Sequence, residues 1–236
     1  MHISNSKSAF WSGFRDGSPF ILVVVPFALL FGVIATEAGL DLVETMSMTV
    51  MVIAGAAQFT AISLMQDHAP TFIVLLTALA VNLRMAMYSA ALVPHLGKAP
   101  LWVRALMSYF MVDQAFAVAF KKYEEMPEMP VRLKVIYYFG SLTPIVPLWY
   151  LFSYVGAVLG GQIPPEFALD FAIPITFIAL TAPIMRSLPH FIAALVSIIA
   201  ALALVWVPYN LGLIIAATLA MISGAQVEVW LKRRQA

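Results

Sequence analysis

The stretch APTFIVLLTALAVNLRMAMYSAALVP, Ala69 to Pro94, carries a single charge, Arg84, in a run otherwise built of aliphatic, aromatic and small residues. A helix crossing the ~30 Å hydrocarbon layer of a bilayer needs about 20 mostly apolar residues, and this run is long enough. Working outward from it, similar windows recur at approximately 18–38, 44–66, 70–94, 101–121, 134–160, 167–186, 189–207 and 209–230. Gly39-Leu40-Asp41, Asp67-His68-Ala69-Pro70, Gly97-Lys98-Ala99-Pro100, the 121–134 segment, Gly160-Gly161, Ser187-Leu188-Pro189 and Pro208-Tyr209-Asn210 mark the joints between them. Across all 236 residues 62% are hydrophobic and 11% charged, against about 45–50% and about 25% in soluble domains. The expected class is an all-α polytopic membrane protein with about eight transmembrane helices, the alternative being seven plus one re-entrant segment. A cytoplasmic or interfacial segment is expected at 1–17 and a single membrane domain at 18–231.

Thirteen Lys+Arg against twelve Asp+Glu leave a net charge of +1, so no basic field exists for nucleic acid. The chain has no cysteine, which excludes disulfides, thiolate metal sites and thiol nucleophiles. Cations in short loops favour the cytoplasmic side. With the N-terminus inside, eight crossings place Lys7, Arg15, Lys121, Lys122, Arg132, Lys134, Arg186, Lys232, Arg233 and Arg234 inside, and only Lys98 and Arg104 outside. Both termini are therefore expected in the cytoplasm. Phe10, Trp11 and Phe14 read as an interfacial aromatic anchor, and the charge-free run from Pro19 to Thr36 is longer than a usual signal-peptide core.

Leu40-Asp41-Leu42 with Asn82-Leu83 in the first half echoes Leu169-Asp170-Phe171 with Asn210-Leu211 in the second. Such duplication is common in transporter-like folds and would make two parallel four-span repeats, 18–121 and 134–231. Pro26 with Gly32, Pro144 with Pro147, and Pro174 with Pro183 mark kinked spans.

A charge within a span is a functional candidate because it costs at least ~2.5 kcal/mol to place near the bilayer centre. Arg84 and Asp113 are the two such residues. A direct Arg84–Asp113 ion pair is one reading, and exposure of one or both to a solvated cavity the other. Asn82 and Arg84 differ by about 200° on an ideal helix, so they converge only if the helix is broken there. Tyr88 shares Arg84's face at i+4, as an interfacial aromatic or as part of a site. In Ala54-Gly55-Ala56-Ala57-Gln58-Phe59, small residues allow close backbone approach, and the Gln58 amide needs a partner, protein or solute. Broken helices are thus expected near Gln58 and Asn82.

Other chemistries lack their residues. There is no GxxxxGK[ST], hence no P-loop site for ATP, and no HExxH or GxSxG. His68, His95 and His190 fall at span ends, and Glu124-Glu125 read as part of a charged loop. No metal, no cofactor and no enzymatic activity are expected.

Pro26-Phe27, Phe31-Gly32, Gly39-Leu40, Met46-Ser47, Gly55-Ala56-Ala57-Gln58-Phe59, Asn82-Leu83-Arg84, Tyr88-Ser89, Asp113, Phe116-Ala117 and Leu169-Asp170-Phe171, in this order and spacing, resemble the AzlC family, the large subunit of bacterial branched-chain amino acid exporters. The resemblance covers most of the chain. It implies an inner-membrane secondary transporter, ion- or proton-coupled, for leucine, isoleucine, valine or methionine, with a small hydrophobic AzlD-type partner subunit. Met85 and Gln114 stand where the family usually has His and Glu, which leaves Asp113 and Asp170 as proton-coupling candidates. Arg84 would meet the solute carboxylate and Asp113 its ammonium, with Gln58, Asn82 and Tyr88 as the remaining substrate-binding candidates. The alternative is a non-transporting membrane subunit that organises a partner, with Arg84–Asp113 as a structural ion pair.

Overall fold

The computed structural model describes residues 5–160, 185, 187–208 and 211–235. Every regular element among them is helical. In order these are α1 (Ser6–Gly17), a 3-10 turn (Ser18–Phe20), α2 (Ile21–Glu37), α3 (Leu42–Met51), α4 (Gly55–Gln66), α5 (Thr71–Asn82), α6 (Arg84–Leu96), α7 (Leu101–Tyr109), α8 (Asp113–Glu125), α9 (Val131–Leu142), α10 (Val146–Gly160), α11 (Leu188–Ala203) and α12 (Leu211–Gln235). Among the described residues, four stretches are long and apolar enough to cross a membrane: Ser6–Glu37, Thr71–Leu96, Val131–Gly160 and Leu211–Arg234. The expected span 167–186, Asp170 and Asn210 lie outside the described residues.

The chain forms two compact bodies, residues 1–62 with 78–169 and residues 63–77 with 170–236. In the second, α11 packs on α12, and Gly224 faces Ala193 and the Pro189 carbonyl.

The first body is built on two long helical stretches, α1–α2 and α9–α10, lying against each other. Glycine permits this contact. A Cβ on Gly32 would collide with the Ser153 carbonyl, and one on Gly156 with that of Leu29; Gly13, Gly17 and Gly140 meet backbone carbonyls in the same way. At these glycines the two backbones sit directly against each other, the close-approach mode of membrane helices. The two stretches are parallel: Phe27 and Phe31 meet Trp149, Gly32 meets Ser153 and Ala157, and Thr36 meets Ala157 and Gly160. Pro26 lies inside α2, and a turn at 143–145 separates α9 from α10.

The two segments between these stretches correct the expected crossings at 44–66 and 101–121. Gly39, at φ +90°, turns the chain after α2, and Asp41 caps α3 through the Glu44 amide while Glu44 returns a hydrogen bond to the Asp41 amide. The helix then stops: Val52 is extended, and regular structure resumes only at Gly55. Gly55 lies against Phe27 and Trp149, and Phe59 packs on Phe27 and on Phe31, one turn further along α2. Thus α4 climbs in the direction of α2 over 55–62, and 42–62 is a re-entrant hairpin that heads back to the end at which it entered.

The second hairpin is fixed by two ion pairs. Arg84 meets Asp113 at 3.1 Å, and His95 meets Glu124 at 3.0 Å. The second pair lies eleven residues beyond the first on both helices, about 16 Å at 1.5 Å per residue, so α6 and α8 run parallel. The chain must therefore turn back through α7, and 101–125 also enters and leaves at one end. The hairpins come from opposite ends. Their tips touch where the Tyr109 hydroxyl donates to the Val50 carbonyl, beside the Tyr150 hydroxyl at 3.3 Å.

Candidate functional site

Arg84 is the first residue of α6 and Asp113 the first of α8. The two positions differ in local electrostatics. A helix N-terminus carries about half a positive charge, which favours a carboxylate such as Asp113 and disfavours a guanidinium unless an anion accompanies it. Asp113 supplies that anion through one contact, Arg84 Nη2 to Asp113 Oδ2, with side chains 31% and 40% uncovered by the rest of the chain. The pair is monodentate. Arg84 Nε and Asp113 Oδ1 are buried without a hydrogen-bond partner. A guanidinium and a carboxylate can form two parallel bonds, so this arrangement leaves one donor and one acceptor in hand.

Tyr88, one turn after Arg84, lies in the field of both charges, and its hydroxyl is a hydrogen-bond donor to the Asp113 carboxylate. Its ring stacks on Phe116 with centroids 4.1 Å apart and planes at 10°, giving an apolar wall beside the pair. Met111, at the hairpin tip, accepts from the Ser89 hydroxyl at 3.7 Å. Arg84, Tyr88 and Asp113 are therefore brought together as one cluster.

Asn82 and Gln58 behave otherwise. At Leu83 the backbone stays right-handed helical, with φ −57° and ψ −24°, and the hydrogen bonds tighten to three-residue spacing. The expected break near Asn82 is thus a tightened turn in a continuous stretch; its side-chain oxygen is buried and unpartnered. Near Gln58 the break is real, at 52–54, and Gln58 itself is fully buried with both amide atoms unpartnered. The third interruption, at 110–112 with Val112 extended, was not expected from sequence. Its one signal was Asp113, a residue suited to a helix start. Glu124 and Glu125 lie in α8, not in a loop.

Comparison with known proteins covers this site. Residues 19–163 match the family described as AzlC protein. The chain is 26% identical over 213 residues to Inner membrane protein YgaZ of Escherichia coli K12, spanning 86% of this chain and 84% of that one. It is 29% identical over 119 residues to an uncharacterized membrane protein of Archaeoglobus fulgidus, covering 50% of this chain and 52% of the other. An uncharacterized membrane protein of Helicobacter pylori 26695 matches at 27% over 113 residues, 46% and 49% of the two chains. No solved structure matches.

Proposed function

The chain belongs to the AzlC family, and on that premise we propose that it is a secondary transporter exporting branched-chain and other hydrophobic amino acids, ion- or proton-coupled, across the bacterial inner membrane. One observation carries the reading: the Arg84–Asp113 pair uses one donor and one acceptor and leaves Arg84 Nε and Asp113 Oδ1 without partners. A zwitterion supplies both missing partners, its carboxylate to Arg84 and its ammonium to Asp113. The Tyr88–Phe116 wall offers an apolar face for the side chain. One methylene is worth about 1–3 kcal/mol against such a face, so discrimination among leucine, valine and methionine is modest. Asp113 is also a proton-coupling candidate, and a small hydrophobic AzlD-type subunit is the partner.

The charges at the two ends of the first body support a sidedness. The end at which α1 begins carries Lys7, Arg15, Lys98, Lys121, Lys122, Arg132 and Lys134, whereas the turn after α2 carries Glu37, Asp41 and Glu44 and no cation. By the positive-inside rule the N-terminus is cytoplasmic, and Lys232, Arg233 and Arg234 argue the same for the C-terminus.

The direct 3.1 Å contact also favours a second reading, a structural pair in a non-transporting subunit. Radiolabelled leucine efflux from vesicles holding the chain and its partner separates the two. The transporter reading expects Arg84→Ala to lower efflux roughly hundredfold or more with normal membrane abundance, since it strands Asp113. Wild-type efflux from a well-expressed Arg84→Ala variant would overturn it. A working Arg84→Asp, Asp113→Arg double exchange would select the structural pair.

A further inference from the structure

The lower end of the α6–α8 pair carries a second ionisable contact that the solute site does not use. His95 Nε2 lies 3.0 Å from Glu124 Oε1, with the His95 side chain only 12% uncovered and that of Glu124 60%, so the pair joins a covered imidazole to a carboxylate open to solvent. Its ring packs edge-on against Phe120 at 6.0 Å and tilted against Tyr123 at 5.5 Å. Phe120 stacks on Phe116, which stacks on Tyr88. An unbroken line of rings thus runs from His95 to the residue beside Arg84.

The neighbouring charges have other occupations. Lys122 is held by Asp16 of α1 and by Glu125, and Lys121 by Glu125. Lys134 of α9 donates to the Pro127 carbonyl and lies over the Tyr123 ring, whose hydroxyl donates to the Lys134 carbonyl. The turn after α6 carries Lys98, α7 carries Arg104 and α9 carries Arg132. Among the described residues the ionic partner of Glu124 is His95.

We propose that His95 and Glu124 form a proton-binding pair, additional to Asp113, that couples solute movement to a pH gradient, an inference that rests on the transporter reading. Imidazole is the side chain that exchanges a proton between about pH 5 and about pH 8. With the proton on Nε2, the contact to Oε1 is a charge-assisted hydrogen bond, and α8 is fastened to α6 at both ends. When the ring deprotonates, the lower fastening loses its ionic component. Separation of the hairpin from α6 is therefore linked to proton release, and the same separation opens the Arg84–Asp113 end. A proton and a solute that both act on one helix pair are coupled through it.

The test uses the full chain with its small partner in proteoliposomes, with radiolabelled leucine as probe. His95→Gln is expected to exchange leucine at the wild-type rate without a gradient and to lose accumulation driven by a pH difference; Glu124→Gln is expected to do the same. Wild-type gradient-driven accumulation in either variant overturns the proposal, as does loss of exchange together with driving. Hydrogen exchange of the α8 amides is independent of transport. Corrected for intrinsic chemistry, it is expected to rise roughly tenfold from about pH 5 to about pH 8 in the wild type and to stay level in His95→Gln. A level wild-type profile overturns the proton site. Should the wild type move no leucine in any mode yet keep the pH step, the transporter reading fails and the proton site stands.

Discussion

The two re-entrant hairpins differ in what holds them. Hairpin 42–62 is set, beyond the Asp41/Glu44 cap at its start, by neutral contact: Gly55 against Phe27 and Trp149, Phe59 between Phe27 and Phe31, and Thr49 donating to the Thr45 carbonyl. Its orphaned polar atoms, Thr45 Oγ1 and both ends of Gln58, are uncharged, as are Trp149 Nε1 and Ser153 Oγ on the adjoining α10. Hairpin 101–125 is fastened along α6 by ion pairs at both ends of α8, with stacked rings between them. Interdigitated apolar packing gives way only by opening voids, whereas ion pairs and slipped rings exchange partners when a charge or solute arrives. The first hairpin is accordingly expected to act as the fixed wall of the first body and the second as its movable element.

The most severe test of that contrast is Gly55→Leu. The added side chain enters where even a Cβ meets the Phe27 ring and lies 2.9 Å from Trp149, and Phe27 is itself wedged between Phe59 and Trp149. Overpacking of this kind costs about 1–3 kcal/mol, so the melting temperature of the purified protein is expected to fall by several degrees. An unchanged melting temperature would mean that the first hairpin yields as readily as the second.

Much of this was legible from the chain, and what was not has a physical reason. Apolar windows and their Gly, Pro and Asp joints located the helices, because lipid forces backbone groups to pair within a segment. Arg84 and Asp113 stood out as charges in apolar runs, and the structure joins them. Direction was not legible. A 25-residue apolar segment has the same composition whether it crosses or turns back at its middle, and the bends at 52–54 and 110–112 hold Ile53, Ala54, Met111 and Val112, none a strong breaker. The His95–Glu124 pair was missed for the same cause, since only a parallel α6 and α8 bring those positions together. The sequence predicts a break at Asn82, where the structure has a tightened turn at Leu83, because helix periodicity does not distinguish the two.

A smaller effect is expected at Gln58. Its amide is buried with no partner, a condition that costs about 1–3 kcal/mol. Gln58→Leu removes both unpaired atoms at similar volume and is expected to raise the melting temperature, while Asp113→Leu, which strands Arg84, lowers it. If the amide binds solute, the stabilised Gln58→Leu protein will lose leucine efflux; if it does not, efflux will stay at the wild-type rate. A lower melting temperature for Gln58→Leu would show that the amide is paired, and that the first hairpin is not held by apolar packing alone.

The smallest change addresses the point where the hairpins touch. Tyr109→Phe deletes the hydroxyl that donates to the Val50 carbonyl and neighbours Tyr150, and keeps the ring that packs on Phe110. One neutral hydrogen bond contributes about 1 kcal/mol, so global stability barely moves. The local effect is directional. Val50 belongs to a hairpin wedged against α2 and α10, so losing the bond leaves its position unchanged; Tyr109 belongs to the hairpin held by exchangeable contacts, so the loss frees its tip. Amide hydrogen exchange is therefore expected to increase at 107–113 and to stay constant at 48–55. Equal increases on both sides would show that the two hairpins brace each other through this bond, and the division into wall and movable element would not hold.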